Sequence, residues 1–318
     1  MPILSSLAWR IFQAADATIV RTGIRKSRVG RESLAGLNRF GTGLVRVWVL
    51  AHGHPFQIHG HQMYLANSGG PSVAFTVSMI LDRYETGTTR LVERILKPGM
   101  VFLDVGAHAG YFSLLAARQV GPHGSVFAFE PAPTNFELLQ RNIALNGYKN
   151  ISAFPIAGAE NSARMKLSLD AKGNDRHSLV LVEEPGSMQN TVEVDTISID
   201  DFLERSDVNT VDLMKIDAEG AECAILRGLR RSLTEGKVRR LVFEFSPSAC
   251  EAAGIAPDKF LTQMADFGFR LYRIEGAEGL IRISGSNVTS LVDQVKAKGA
   301  CNFFAEQSKL GEGEDRLQ

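Results

Sequence analysis

Four acidic side chains stand where apolar runs stop, and that placement is what first suggests chemistry. The run Val101–Leu103 gives way to Asp104, Ser125–Phe129 to Glu130, and a stretch reaching Ile216 to Asp217, while Arg240–Phe245 carries Glu244 near its end. Between the first two acids lies a turn containing Gly106, Ala107, His108, Ala109 and Gly110, and Pro131 follows Glu130. Short apolar runs bounded by glycine turns read as strands. Parallel strands joined by helices leave their carboxyl ends on one sheet edge, where α/β proteins bind their ligands. The four acids therefore converge on one crevice. An acid ending the second strand can accept both hydroxyls of a ribose, and Asp104, beside the turn, can meet a cationic ligand end.

The elements that must hold these residues follow in order. Residues 101–131 read as strand, turn, a helix over Tyr111–Val120 stopped by Gly121-Pro122, and a second strand, the first half of a doubly wound α/β sheet. A helix then runs to about Asn146 and a third strand spans Ile151–Ile156. The loop leaving it, Ala157–Ser162, is expected to overhang the same edge, which puts Ala157 and Glu160 near a bound base. Thr210–Gly228 repeats the opening logic with Asp217, Glu219 and Gly220 in the turn, and Arg240–Phe245 forms the fifth strand. Segments 164–169 and 191–199 read as strands outside the repeating unit, with the polar run Gly173–Ser178 between them. A helix at 257–267 and strands near 269–274, 279–283 and 301–305 finish the sheet. The G-x-G-x-x-G spacing of a dinucleotide site is missing: Gly106 and Gly110 are four apart, with no middle glycine to admit a pyrophosphate. A phosphate-free nucleoside with a cationic end fits better, and S-adenosylmethionine has both features.

The stretch DVGAHAG followed by FAFEP, and KIDAEGAE followed by VFEF, resemble the FkbM family of class I methyltransferases, and NDRHS resembles that family's variable-loop motif. The resemblance covers roughly residues 75–306, the size of one such domain. It implies a Rossmann-like methyltransferase sheet that uses S-adenosyl-L-methionine to methylate a hydroxyl of a small-molecule, glycan or lipid-linked acceptor. Carried onto this sequence, Asp104, Gly106, Ala107, His108, Gly110, Glu130, Pro131, Ala157 and Asp217 are expected to hold the cofactor. Tyr84, Glu85, Asn174, Arg176, Glu219 and Glu244 are expected to face the acceptor. A hydroxyl needs a base, and His177 is the first candidate because imidazole titrates near the working pH; Asp217 is the second. No metal is assigned. Asp217, Glu219 and Glu244 offer an oxygen cluster, but a sulfonium is already an activated methyl donor. Two rival readings stay open, a nucleotide-dependent oxidoreductase on the same sheet and a non-catalytic scaffold that binds S-adenosylmethionine.

Composition bounds the rest. The 318 residues carry 35 basic and 35 acidic side chains, so no global field favours nucleic acid. Cys223, Cys250 and Cys301 are far apart in sequence and odd in number, which argues for free thiols in a reducing, cytoplasmic setting. Residues 1–70 form an extension to the methyltransferase domain at 71–308, and 309–318 a flexible tail. Leu4, Leu7, Ile11, Phe12 and Ile19 share one helical face, and Arg21, Arg25, Lys26, Arg28 and Arg31 follow. That pattern suits peripheral contact with the inner face of an anionic membrane, docking on a second subunit, or packing on its own domain. VRVWVLA and QIHGHQMYLA read as a hairpin reversing at His52–Pro55, and four histidines there lack the acidic or cysteine company of a metal site. Helices over Ser72–Asp82 and Thr88–Leu96 are expected to cover the crevice.

Overall fold

Strands rich in Val, Leu and Phe build the centre of the second of two compact units into which the computed structural model divides, Met1–Tyr84 and Glu85–Gln318. The structure describes residues 55–65, 78–168, 178–179, 191–277 and 279–308. The amphipathic segment 1–31, the first expected hairpin strand, the polar run up to His177 and the tail lie outside the described residues. In the first unit, β1 (Phe56–Ile58) and β2 (His61–Met63) form a hairpin. Its turn residues His59 and Gly60 have φ of 47° and 83°, the pair of positive values a two-residue turn of this hand demands. The stretch expected to be a single strand is thus itself a hairpin. The reversal lies at His59-Gly60, and His59 Nδ1 sits 3.5 Å from Asp82 Oδ1.

The second unit runs α1 (Thr86–Ile95), β3 (Val101–Val105), α2 (Tyr111–Val120), β4 (Ser125–Phe129), α3 (Pro133–Asn146), β5 (Ile151–Phe154), β6 (Ile156–Ala159), β7 (Ala163–Ser168), β8 (Ser178–Leu179) and β9 (Thr191–Ser198). It continues with α4 (Ile199–Arg205), β10 (Leu213–Ile216), α5 (Glu222–Arg227), α6 (Arg230–Thr234), β11 (Arg240–Phe245), α7 (Pro247–Ala252), α8 (Pro257–Asp266), β12 (Phe269–Glu275), β13 (Gly279–Arg282), α9 (Val288–Lys298) and β14 (Cys301–Gln307). The main sheet has eight strands in the order β13-β12-β14-β11-β10-β3-β4-β5. From β11 to β5 neighbours are parallel; β14 pairs antiparallel with β11 and β12. This is the Rossmann-like class I methyltransferase sheet with its antiparallel finish.

The pleat assigns the two faces their different tasks, because residues two apart share a face. Leu103 and Val105, Met214 and Ile216, and Phe243 and Phe245 join one apolar cluster with Phe260 and Met264 of α8. Each such side chain contributes about 1.5–3 kcal/mol on full burial. The opposite face carries Asp104, which pairs in register with Lys215, and Glu244, which pairs with Asn302.

The third strand is shorter than expected. Pro155 has no N–H to donate to a ladder, so β5 stops at Phe154 and the chain resumes as β6, which leaves the main sheet and pairs in parallel with β9. A second sheet, β6-β9-β7-β8, results. Ala157 is therefore no loop residue: its side chain is buried with Ala132, Leu167 and Val194. Glu160 is exposed and ion-paired to Arg227 at 2.7 Å. The three cysteines are free thiols, with Cys223 and Cys250 sulfurs 3.4 Å apart in the core. Among the described residues no helix is long and apolar enough to cross a membrane.

Gly106, at φ 87°, lets the loop after β10 close against the end of β3, since a Cβ there would overlap the carbonyl oxygen of Asp217. Gly106→Ala should lower stability by more than the roughly 1–2 kcal/mol that a left-handed alanine costs by itself, as read from urea denaturation. An unchanged midpoint would mean that the two loops do not meet this closely.

Candidate active site

The turn between β3 and α2 places three left-handed residues within five, Gly106, His108 and Gly110, at φ of 87°, 51° and 92°. The backbone curls so that the N–H groups of Gly106 and Ala107 both donate to Phe129 O at 2.9 Å. The His108 N–H donates to Glu130 Oε2 at 2.8 Å, and Ala132 N–H to Glu130 Oε1 at 3.0 Å. Glu130 is buried, and burial, outweighing these bonds, pushes its pKa up to about 7. A carboxylate offers about four acceptor positions; two amides fill two, and Asn135 Nδ2 approaches a third from 3.5 Å. Acceptor capacity is left for a ligand hydroxyl. The Ala107 side chain packs away with Ala128 and Leu139, and Pro131 is half-buried beside Glu130.

Asp104 does not end its strand as the sequence suggests. β3 continues to Val105, so Asp104 lies inside the sheet, 1% exposed, and accepts a hydrogen bond from Ser113 Oγ of α2 at 2.6 Å. Burial raises its pKa to about 6 against the pull of Lys215 and Ser113. It has no opening through which to meet a ligand directly.

Lys215 is the residue that sequence reasoning passed over. It sits mid-strand in β10, and its side chain is 4% exposed. Its Nζ is 2.7 Å from Asp217 Oδ2 and 3.8 Å from Glu85 Oε1, and lies 4.5 Å above the Phe112 ring. Burial works against the ammonium, but Asp217, Glu85 and Asp104 outweigh it and hold its pKa above the usual lysine range. The readable signal was its spacing, since residues 215 and 217 share a face and an acid two places on is within reach. Glu85, ahead of α1, also accepts from Asn302 Nδ2 at 2.7 Å, and Asn302 reaches Thr88 Oγ1 at 3.1 Å.

Asp217 follows β10 directly, its N–H bonded to Val105 O at 2.9 Å. Its acidic company is Glu222 and Glu244: one oxygen from each of the three lies within 4.8 Å of the others. Glu219, expected in that cluster, is exposed instead at φ 49°, because Glu222 folds the loop beneath it by accepting from the N–H groups of Ala218 at 2.8 Å and Gly220 at 3.2 Å. Three carboxylates this close can coexist because Lys215 neutralises Asp217, backbone amides serve Glu222, and Glu244 holds a proton near neutrality. Burial, then Asp217 and Glu222, push the Glu244 pKa up to about 7. The structure thus brings the turn, Glu130, Asp217 and Glu244 to one sheet edge with Glu85. Tyr84 belongs to the first unit, and Asn174, Arg176 and His177 lie outside the described residues.

The profile of the Methyltransferase FkbM domain matches residues 104–271. The chain is 29% identical over 143 residues to Methyltransferase 1 of Beauveria bassiana, a match covering 40% of this chain and 57% of that protein. It is 27% identical over 160 residues to the 31-O-demethyl-FK506 methyltransferase FkbM of Streptomyces tacrolimicus, covering 42% and 61%. It is 23% identical over 169 residues to the 2-O-methyltransferase NoeI of Sinorhizobium fredii, covering 49% and 68%. The chain spans less than two thirds of the first two relatives' own length.

Removing one partner of a buried charge pair costs about 3–5 kcal/mol, because the remaining charge stays buried and unpaired. Lys215→Met should lose stability on that scale in urea denaturation at neutral pH, with part recovered as the pH falls and the carboxylates take up protons. A loss below about 1 kcal/mol would show that the ammonium is solvated.

Proposed function

We propose, since the chain belongs to the FkbM methyltransferase family, that it transfers the methyl group of S-adenosylmethionine to a hydroxyl oxygen of a small-molecule, glycan or lipid-linked acceptor. S-adenosylmethionine, the cofactor of this family, supplies an electrophilic methyl group on a sulfonium, whose C–S bond breaks as the new bond to the acceptor forms. The observation that carries the reading is the buried Glu130, fixed by the His108 and Ala132 amides with acceptor positions to spare. It stands beside a turn where Gly106 and Gly110 leave no room for side chains. That cradle fits a nucleoside: Glu130 accepts the ribose hydroxyls, and no middle glycine is needed because no pyrophosphate has to pass. Asp104 acts one layer back, as the buried partner of Ser113 beneath the turn. Oxygen as the acceptor atom is supported by the names of two relatives, one a 31-O-demethyl and the other a 2-O methyltransferase.

The Glu130 ionisation gives the binding a direction with pH. A hydroxyl pair donates to the ionised carboxylate, so affinity should be full above about pH 7 and fall by up to about tenfold per unit below it. Calorimetry with S-adenosylhomocysteine should show this slope in the wild type and none in Glu130→Gln. That variant should also bind about ten- to a hundredfold more weakly, the worth of a charged hydrogen bond. Equal affinity in a folded Glu130→Gln, or tight binding of NAD, would overturn the assignment. Methyl transfer should survive chelation of divalent metals, since Lys215 already pairs with Asp217 at the crevice and the sulfonium is itself an activated methyl donor. Loss of turnover restored by magnesium would contradict that.

A further inference from the structure

A hydroxyl becomes a competent nucleophile when a positioned base takes its proton, and that base must be an acceptor not already committed elsewhere. Most acids at the crevice are committed. Glu85 accepts from Asn302 and Asp104 from Ser113, while Glu130, fixed by two backbone amides, keeps its remaining acceptor positions for the ribose. Asp217 holds Lys215, and Glu222 closes its own loop. Glu244 differs. It projects from β11 on the same face as Lys215, is half-buried, and among the described residues its carboxylate accepts no hydrogen bond. One of its oxygens lies within 4.8 Å of the Asp217 and Glu222 carboxylates, so it stands with them at the sheet edge that the cofactor turn and Glu130 also reach.

Resting on the methyl-transfer reading above, we infer that Glu244 is the general base that removes the acceptor's hydroxyl proton. The O–H bond breaks toward Glu244 as an oxygen lone pair forms the bond to the methyl carbon. The C–S pair stays on sulfur, so a sulfonium, an alcohol and a carboxylate become a thioether, an ether and a carboxylic acid, which then releases its proton to water. The surroundings suit the task. Facing Glu244 are Lys215 of β10 and Asp217 just after it, Glu222 of α5, Glu85 ahead of α1, and the Cys301 thiol of β14. Burial and the two nearest acids bring its pKa to about 7, where a base both exists ionised and binds a proton well. The two candidates drawn from sequence differ in kind: His177 lies outside the described residues, and Asp217 is engaged with the ammonium.

The test is single-turnover methylation of a set of methyl glycosides of hexoses and hexuronic acids, comparing wild type, Glu244→Gln, Glu244→Asp, Asp217→Asn and His177→Ala. Glu244→Gln should slow transfer by about 10²-fold or more with S-adenosylhomocysteine affinity preserved. With cofactor saturating at every pH, so that the Glu130 binding limb does not enter, the wild-type rate should rise about tenfold per pH unit up to about pH 7 and then level, a limb absent in Glu244→Gln and kept in Glu244→Asp. Infrared pH-difference spectra of the S-adenosylhomocysteine complex should show protonated-carboxyl bands for Asp104, Glu130 and Glu244, of which Glu244→Gln removes one and leaves the others. A Glu244→Gln rate equal to wild type overturns the assignment, as does transfer of the rate loss and the acid limb to Asp217→Asn or His177→Ala. A wild type that binds S-adenosylhomocysteine yet methylates none of these acceptors, nor a lipid-linked glycan or a hydroxylated macrolide added to the set, overturns the hydroxyl-acceptor reading and the base with it. That result is told apart by the silence of the wild type itself.

Discussion

The Lys215 ammonium among carboxylates is the interaction on which the rest of the crevice depends. A lone buried charge costs several kcal/mol even after relaxation, and this one lies over the Phe112 ring of α2. Its position is tolerable only while Asp217, Glu85 and Asp104 surround it, and those acids arrive from the loop after β10, the start of α1 and the neighbouring strand β3. One charge therefore fixes how those parts meet. Because every partner is an acid, the cluster also keeps a negative balance facing the crevice.

Two loops at that edge are held by the same device. Glu130 accepts the N–H of His108, and Glu222 accepts those of Ala218 and Gly220; in each case a carboxylate collects amides that a tight turn would leave unbonded inside the protein. Left-handed Gly106 and Gly220 make the turns tight enough for this to work. The floor of the site is thus backbone held by side chains, a stiffer arrangement than side chains reaching inward from mobile loops.

How much of this the residues themselves reveal depends on the sequence distance over which the physics acts. The stretch from Val101 to Phe129 is legible because its strands, glycine turn and helix are each decided by neighbours a few places away, and all of them form in the expected order, with only the end of the first strand displaced. Pro155 and His59-Gly60 carry equally local signals, a strand break and a turn, but the expected third strand runs through the first and the expected hairpin strand through the second. Helix α9 is not among the expected elements although it has local signals, with Leu291 and Val295 buried four apart and Gly299 after it; the Ser284–Asn287 capping box belongs to the single 3-10 turn Gly285–Asn287 that precedes it. Lys215 was not legible in the same way. A lysine in an apolar strand shows nothing of a glutamate 130 residues earlier, and the short strand between Leu213 and Ile216 gives it no second clue. The strand-end rule placed Asp104 at the rim for a related reason: one more apolar residue, Val105, extends the strand and draws the acid inside.

The hydrogen bonds from Asn302 to Glu85 and Thr88 span more than two hundred residues of chain. Asn302 lies on β14, which inserts between β11 and β12, strands already made when β14 emerges during synthesis. Contacts of such separation form late, because the closure of so long a loop must precede any gain from them. The helix that presents Glu85 is thus synthesised near the beginning of this unit and secured near its end. Until β14 enters, β11 has an unpaired edge beside the crevice, and Glu85 lacks the amide that aims it at the lysine. A ribosome-bound chain that has not yet delivered Asn302 would have the cofactor turn in place and the acidic wall opposite it unfinished, so assembly of this site is timed by the last strand to join the sheet.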